Sequence, residues 1–193
     1  MSINWTEDLD PTSAFFDSHR AMFESLPDGA RGLDLACGRG RHSVACADLG
    51  LQMLCVDRNS EALADLGRYR PAGKGRIETR VINLEPPESQ AVEAIAEAPF
   101  DFVLVFRYLH RPLMSWIADL LAPGGFLLYE TFTVAQRDLG WGPSRDDFLL
   151  KRDELPTLFP QLEIEVFEQG LTREHRPAET ARLRARRRNE PKS

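Results

Sequence analysis

The sequence predicts an α/β protein with a mostly parallel sheet, and three observations carry that prediction. Short apolar runs alternate with helical patterns five times along the chain, the βα alternation that lays helices over a parallel sheet. The first run, Gly32-Leu33-Asp34-Leu35-Ala36, opens directly into a glycine loop, Cys37-Gly38-Arg39-Gly40, and a helix start at Arg41. The last two apolar runs have no crossover between them long enough to hold a helix, so they are expected to pair antiparallel.

Taken in order, Thr12 or Ser13 caps a helix expected to run to about Leu26, with Phe15, Phe16, His19, Met22 and Phe23 near helical spacing. Pro27-Asp28-Gly29 stops it. The first strand covers about Arg31 to Ala36, and the helix after the loop runs from Arg41 to Leu49 with Gly50 as its stop. The second strand is Gln52 to Val56. A helix opens at Ser60-Glu61, is apolar at Leu63 and Leu66, and ends by Pro71. Arg76 to Leu84 reads as a third strand with Ile77, Val81 and Ile82 inward. Pro86-Pro87 precedes an acidic helix over about Ser89 to Ala98.

Phe100 to Phe106 is almost continuously apolar, as a strand at the centre of a parallel sheet must be. Pro112 suits the first turn of a helix bearing Leu113, Ile117, Leu120 and Leu121. Ala122-Pro123-Gly124-Gly125 is a turn into a strand over Phe126 to Thr131. A polar loop over Val134 to Asp147 and a short helix around Arg152 to Leu158 follow. The closing strands are Leu162 to Glu168 and about Thr180 to Arg186.

The chain has 193 residues, enough for one domain with a full core. Hydrophobic content of 42% and charged content of 28% fit a soluble globular protein. The longest apolar run, Phe102 to Phe106, is far short of the ~20 residues that span a bilayer. The first ten residues are acidic without an apolar core, so no signal peptide is read there and the cytoplasm is the expected compartment. A net charge of −6 argues against a general nucleic-acid binder. The Arg-rich end is the exception, but Ala181, Leu183 and Ala185 alternate with Arg182, Arg184 and Arg186, the period of a half-solvated strand. Residues 187–193 are expected to form a loose tail. Cys37, Cys46 and Cys55 lack metal-ligand spacing and read as free thiols, and no metal constellation is visible.

Seventeen residues past Gly40, the second strand ends in Asp57. A carboxylate there is placed to take both hydroxyls of a ribose, while the glycine loop and the helix start after it favour close approach of a ligand. A dinucleotide loop needs a third glycine where this chain has Ser43, which disfavours hydride transfer from NAD.

Five stretches in order carry a family resemblance: Leu33-Asp34-Leu35-Ala36-Cys37-Gly38-Arg39-Gly40, Val56-Asp57, Asn83-Leu84, Phe100-Asp101-Phe102-Val103 and Leu121-Ala122-Pro123-Gly124-Gly125. From about Gly32 to Arg186 the chain resembles the class I S-adenosylmethionine-dependent methyltransferases, and within them the small tellurite-resistance-type enzymes. The resemblance implies a single Rossmann-like three-layer domain over residues 1–193. Its sheet has seven strands in the order 3-2-1-4-5-7-6, with strand 7 antiparallel. It also implies S-adenosylmethionine as cofactor. Ala36 departs from the family by replacing its first loop glycine.

Carried onto this chain, the resemblance assigns cofactor-binding roles as follows. Ala36, Cys37, Gly38 and Gly40 would wrap the methionine part. Asp34 would anchor the ammonium, or serve as a buried acid pinning the loop. Arg41 would pair with the carboxylate, or face solvent. Asp57 would take the ribose hydroxyls, Arg58 and Asn59 would flank the adenine, and Asn83-Leu84 would read its amino group. Phe106 and Arg107, at the end of the fourth strand, would border the methionine. Tyr108 and His110 are the candidates for acid/base or positioning work, or else structural residues capping the next helix. Glu130 is a second polar candidate at the same rim. Residues 1–29 and Gly140-Trp141-Gly142-Pro143-Ser144 would form a lid, or simply pack.

The chain is thus expected to transfer a methyl group to a small molecule: a thiol, a chalcogen oxyanion, or a metabolite oxygen or nitrogen. It would act as a monomer or homodimer, without a membrane. Two other readings stay open, an RNA or protein methyltransferase and a non-catalytic cofactor-binding regulator.

Overall fold

The computed structural model describes residues 9–85, 95, 99–173 and 176–189. The chain divides after Asn83 into two compact units. Its strands form one seven-stranded sheet in the order β3-β2-β1-β4-β5-β7-β6, the Rossmann-like order expected.

The first unit contains α1 (Ala14–Ser18), α2 (Arg20–Glu24), β1 (Arg31–Leu35), α3 (Arg41–Asp48), β2 (Gln52–Asp57), α4 (Ser60–Leu66) and β3 (Arg76–Val81). β1 and β3 each pair parallel with β2, with Leu33 opposite Leu54 and Cys55 opposite Thr79. Leu33, Leu35, Cys55 and Val56 are wholly buried. β3 lies at the edge, and only part of it is covered. Val81, expected inward, is 59% exposed at the carboxyl end of this edge strand.

The single amino-terminal helix expected to Leu26 is broken at His19. Ser13 caps α1 as expected, its hydroxyl accepting from the Phe16 N–H at 3.1 Å. The carbonyl of Phe15 is then taken by side chains: Ser18 Oγ donates to it at 2.8 Å, and His19 Nδ1 does so at 2.8 Å. The His19 N–H turns to Phe16 O instead. This competition of local side chains for a backbone carbonyl ends α1 after five residues.

The second unit contains β4 (Phe100–Phe106), a 3-10 turn at Arg111–Leu113 running into α5 (Met114–Asp119), β5 (Leu121–Phe132), β6 (Glu163–Thr172) and β7 (Ala178–Arg186). β4 and β5 are parallel, while β7 is antiparallel to both β5 and β6. Phe102, Val103, Leu104 and Val105 are wholly buried, as an apolar central strand requires.

The turn expected at residues 122–125 lies inside β5. It is a bulge, since the register jumps from Phe100↔Leu121 to Phe102↔Phe126. The loop expected over Val134 to Asp147 holds 3-10 turns at Val134–Leu139 and Asp146–Phe148, and the expected helix at 152–158 is a 3-10 turn, Leu155–Leu158. Arg187, expected in a loose tail, is held to the unit. Its N–H donates to Gly125 O, and its Nη1 to Asp119 O and Leu121 O. The acidic helix expected at 89–98, apart from Ile95, and residues 190–193 lie outside the described residues.

Candidate functional site

In the first unit, β1 and β2 deliver their ends side by side. The loop after β1 runs through Ala36 (φ 54°), Gly38 (φ 57°) and Gly40 (φ 78°). Alanine at φ 54° adopts a left-handed backbone that costs an L-residue about 1 kcal/mol, so the loop shape is imposed from outside. The imposing contacts are visible. The Cys37 N–H donates to Val56 O at 3.1 Å, and the Gly40 N–H to Cys37 O at 2.9 Å. Gly40 is fitted closely: its left-handed backbone strains any other residue, and a Cβ there would stand 2.5 Å from a Leu66 methyl, which would have to move. Gly38 differs, with no atom within 4 Å of the same point, so this glycine backs onto open space.

Asp57 closes the arrangement. One carboxylate oxygen accepts from the Gly38 N–H at 2.8 Å and the other from the Asn59 N–H at 2.8 Å. An ionised carboxylate offers roughly four lone-pair positions, so acceptor capacity is left for a diol. Asn59, expected beside an adenine, is committed elsewhere: its Oδ1 caps α4 by accepting from the Ala62 N–H at 3.0 Å. Arg58 is exposed.

Asp34 is buried, at 2% exposure, and accepts from Ser43 Oγ at 2.6 Å. Burial pushes its carboxyl up to about 7, against the opposing pull of the Ser43 hydrogen bond and the Arg41 charge. Ser43 thus has a positive role in α3, as the partner of that acid. The Cys37 thiol is pushed far up by its contact with Cys55 and by burial, the opposite of what a nucleophile needs.

Arg41 Nη1 donates to Pro11 O at 2.8 Å, so this guanidinium holds the segment before α1. Beside it, the buried His42 accepts the Ser13 N–H at Nε2, 3.2 Å away, and packs on Phe16 with ring centroids 4.9 Å apart. Periodicity could not reveal this strap, because residues 11–13 and 41–42 are far apart in sequence. Asn83 is exposed and Leu84 buried, and the division between the units falls between them.

In the second unit, β4 ends at the buried Phe106, and Arg107 follows at φ 58°. The Arg107 N–H donates to Glu130 O at 2.7 Å, which locks this left-handed residue to β5. The carbonyl of Tyr108 accepts from the Tyr129 hydroxyl at 2.8 Å. Burial drives that hydroxyl far above the ordinary tyrosine value, so it acts as a fixed donor. His110 stands at the amino end of the 3-10 turn, its carbonyl accepting from the Leu113 N–H at 3.1 Å. Arg111, unassigned from sequence, binds Glu154 through Nε at 2.6 Å and Nη2 at 2.9 Å, and also reaches Asp147 O and Leu149 O. Glu130 is 5% exposed, on the strand beside Arg107 and Tyr108.

Among the described residues, no group of three or more His, Cys, Asp or Glu side chains is placed to hold a metal. Among the described residues, no helix is long and apolar enough to cross a membrane.

The strand order, the left-handed loop after β1 and the acid ending β2 define a Rossmann-like α/β domain with a nucleoside-type loop. A family model described as a methyltransferase domain matches residues 10–183, and the chain belongs to that family. The ubiquinone biosynthesis O-methyltransferase of Burkholderia multivorans is 31% identical over 133 residues, covering 64% of this chain and 52% of that protein. This chain therefore spans about half the length of the curated relatives it matches. Among solved structures, TehB from Haemophilus influenzae superposes with a TM-score of 0.68 at 17% identity, covering 90% of this chain and 61% of TehB. A SAM-dependent methyltransferase from Methanosarcina mazei superposes with a TM-score of 0.65 at 17% identity, covering 94% of this chain and all of the other. At that identity the likeness is one of fold.

Proposed function

We propose that the chain binds S-adenosylmethionine and transfers its methyl group to a small-molecule acceptor. The observation that carries the reading is the Asp57 carboxylate, held at both oxygens by the loop amides of Gly38 and Asn59, beside open space at Gly38. When bound, the cofactor would supply a methyl carbon activated by its sulfonium. Asp57 would hold the ribose, and the loop from Ala36 to Gly40 would lie along the methionine part. Asp34 would supply negative charge under it, with Arg58, Asn83, Leu84, Phe106 and Arg107 as further binding residues. Cys37 contributes its backbone and no thiol chemistry.

The relatives support methyl transfer to a small molecule, and their O-methyltransferase activity favours oxygen as the accepting atom over sulfur or nitrogen. In-line displacement at a sulfonium carbon needs alignment more than acid/base help. The locked backbone at Arg107 and Tyr108 supports that: a fixed rim can hold an acceptor in line. His110 and Tyr108 are the candidates to take the acceptor's proton.

An RNA or protein acceptor draws less support. Arg184 Nε and Arg186 Nε lie 2.9 Å and 2.7 Å from Glu165, and Arg182 Nη2 lies 3.5 Å from Glu168. The arginines of strand β7 are thus matched by acids of β6, so that strand presents no open cationic stripe to a phosphate backbone. The reading is tested by incubating the chain with a methyl-labelled donor and a cell extract. Label in a small-molecule fraction supports it. Label in macromolecules moves the assignment to RNA or protein, and binding without any transfer makes the chain a cofactor-binding regulator.

A further inference from the structure

The rim of the second unit carries an arginine whose environment differs from that of its neighbours. Its support is built first. Gln136 is fully buried. Its Oε1 accepts from the Glu179 N–H at 2.8 Å and its Nε2 donates to Trp141 O at 2.9 Å. The Trp141 indole N–H donates to Pro177 O at 3.0 Å, and its ring meets Phe132 edge-on with centroids 5.6 Å apart. Trp141 is therefore fixed at its backbone, at its indole nitrogen and at its ring edge, against the buried cluster of Phe132, Leu149 and Ala178.

This platform stands beyond the carboxyl end of β5. Phe132 is the last residue of that strand and pairs with Thr180, and β7 begins just before, at Ala178. Ligands of open α/β sheets bind outside that end.

On the platform lies Arg176, its guanidinium carbon 4.1 Å from the centre of the Trp141 ring. Three other arginines of this unit are matched by acids. Arg137 pairs with Asp146, Arg145 with Asp147 at 2.7 Å, and Arg111 with Glu154 at 2.6 Å. Arg176 is exposed, and among the described residues it meets no carboxylate. Stacking on an indole holds a guanidinium flat and leaves its charge in place, with its edge of N–H donors free in plane for two oxygens of an anion.

We propose that Arg176, laid on Trp141, anchors the negative end of the methyl acceptor, so that the acceptor is a small oxyanion-bearing molecule such as a carboxylate. The assignment rests on the methyltransferase reading and narrows it. Arg176 acts by binding and plays no part in moving a proton.

The test uses the full chain, tritiated S-adenosylmethionine and the small-molecule fraction of a cell extract. Labelled product from the wild-type protein is expected to be retained by an anion exchanger at neutral pH. Arg176→Met is expected to cut transfer about tenfold or more, the scale of a lost charge-assisted pair. Arg176→Lys should recover part of it, and calorimetric affinity for S-adenosylhomocysteine should stay at the wild-type value in both variants. Trp141→Leu, which removes the platform and keeps the charge, should also lose transfer. Neutral or cationic labelled product, or an Arg176→Met protein that transfers at the wild-type rate, overturns the proposal. A wild-type protein that transfers no label at all defeats the methyltransferase reading beneath it.

Discussion

The Gly38 N–H donates to a carboxylate oxygen of Asp57 at 2.8 Å, joining the loop after β1 to the end of β2. Asp57 is therefore both a proposed ligand to the cofactor and part of the frame that shapes the loop. Asp57→Ala removes both, and affinity for S-adenosylhomocysteine should fall at least tenfold, with loss of a desolvated pair worth ~1.5–3 kcal/mol. Asp57→Asn should fare little better, because a side-chain NH2 would face an N–H donor at one of the two backbone contacts. Unchanged calorimetric affinity in Asp57→Ala would remove Asp57 from the proposed site.

The contrast between Asp57 and Arg41 shows what sequence made legible. The apolar run, the glycine loop and the acid lie close in sequence and follow strand period, so β1, β2 and the loop could be placed from spacing. The antiparallel end of the sheet was equally legible from the missing crossover. For Arg41 the sequence offers a partner in the cofactor carboxylate or a place facing solvent, and does not point to Pro11. Its Pro11 partner lies 30 residues away, and no local pattern records such a contact. The same holds for Gln136 on Glu179 and Arg111 on Glu154, each 43 residues apart. The break at His19 was hidden for another reason: helical periodicity reports which face is apolar, while side chains competing for the Phe15 carbonyl decide where the helix stops.

The strap before α1 yields a second prediction. His42→Phe keeps an aromatic ring against Phe16 but leaves the Ser13 N–H without its acceptor. A buried unpaired amide costs roughly 1–3 kcal/mol. Amide exchange over residues 14–24 should accelerate well before the strands of either unit are affected. Exchange at the wild-type rate would show that α1 and α2 are held by their apolar contacts alone.

Gly125 is crowded by backbone. A Cβ there would lie 2.9 Å from Ala122 O, 2.9 Å from Asp101 O and 3.0 Å from Phe100 O. Carbonyl oxygens of paired strands cannot step aside as a flexible side chain can. Gly125→Ala should therefore destabilise the protein by about 2 kcal/mol or more, at the upper part of the range for overpacking. A urea midpoint equal to that of the wild type would show that the β5 bulge reshapes at little cost.

His110 is tested by separating binding from turnover. It lies at the end of β4, beside a rim fixed by the Arg107–Glu130 and Tyr108–Tyr129 hydrogen bonds. If it takes the acceptor's proton, His110→Ala should lower kcat by about 100-fold or more while affinity for S-adenosylhomocysteine is retained. A parallel loss of stability and of turnover, with rate recovered on cooling, would make it a structural cap.

Asp34 should make stability depend on pH in an unusual direction. Burial is the main cause of its shift, and its folded value of about 7 stands above the ordinary 3.8. Between those values the folded protein keeps a proton that the unfolded chain has released. Stability from this group is thus fully present below 3.8 and is lost as pH rises toward 7, by at most about 1.4 kcal/mol per pH unit. Asp34→Asn stays neutral throughout, and its side-chain oxygen can still accept from Ser43. Its urea midpoint should hold steady between about pH 4 and about pH 7, where the wild type declines. Equal slopes in the two proteins would mean that the Asp34 carboxyl is already ionised in the fold. The same proton links to binding: a cation over the loop favours the carboxylate, so cofactor binding near neutral pH should release a proton. Binding enthalpies measured in buffers of different ionisation heat should then differ for the wild type and coincide for Asp34→Asn.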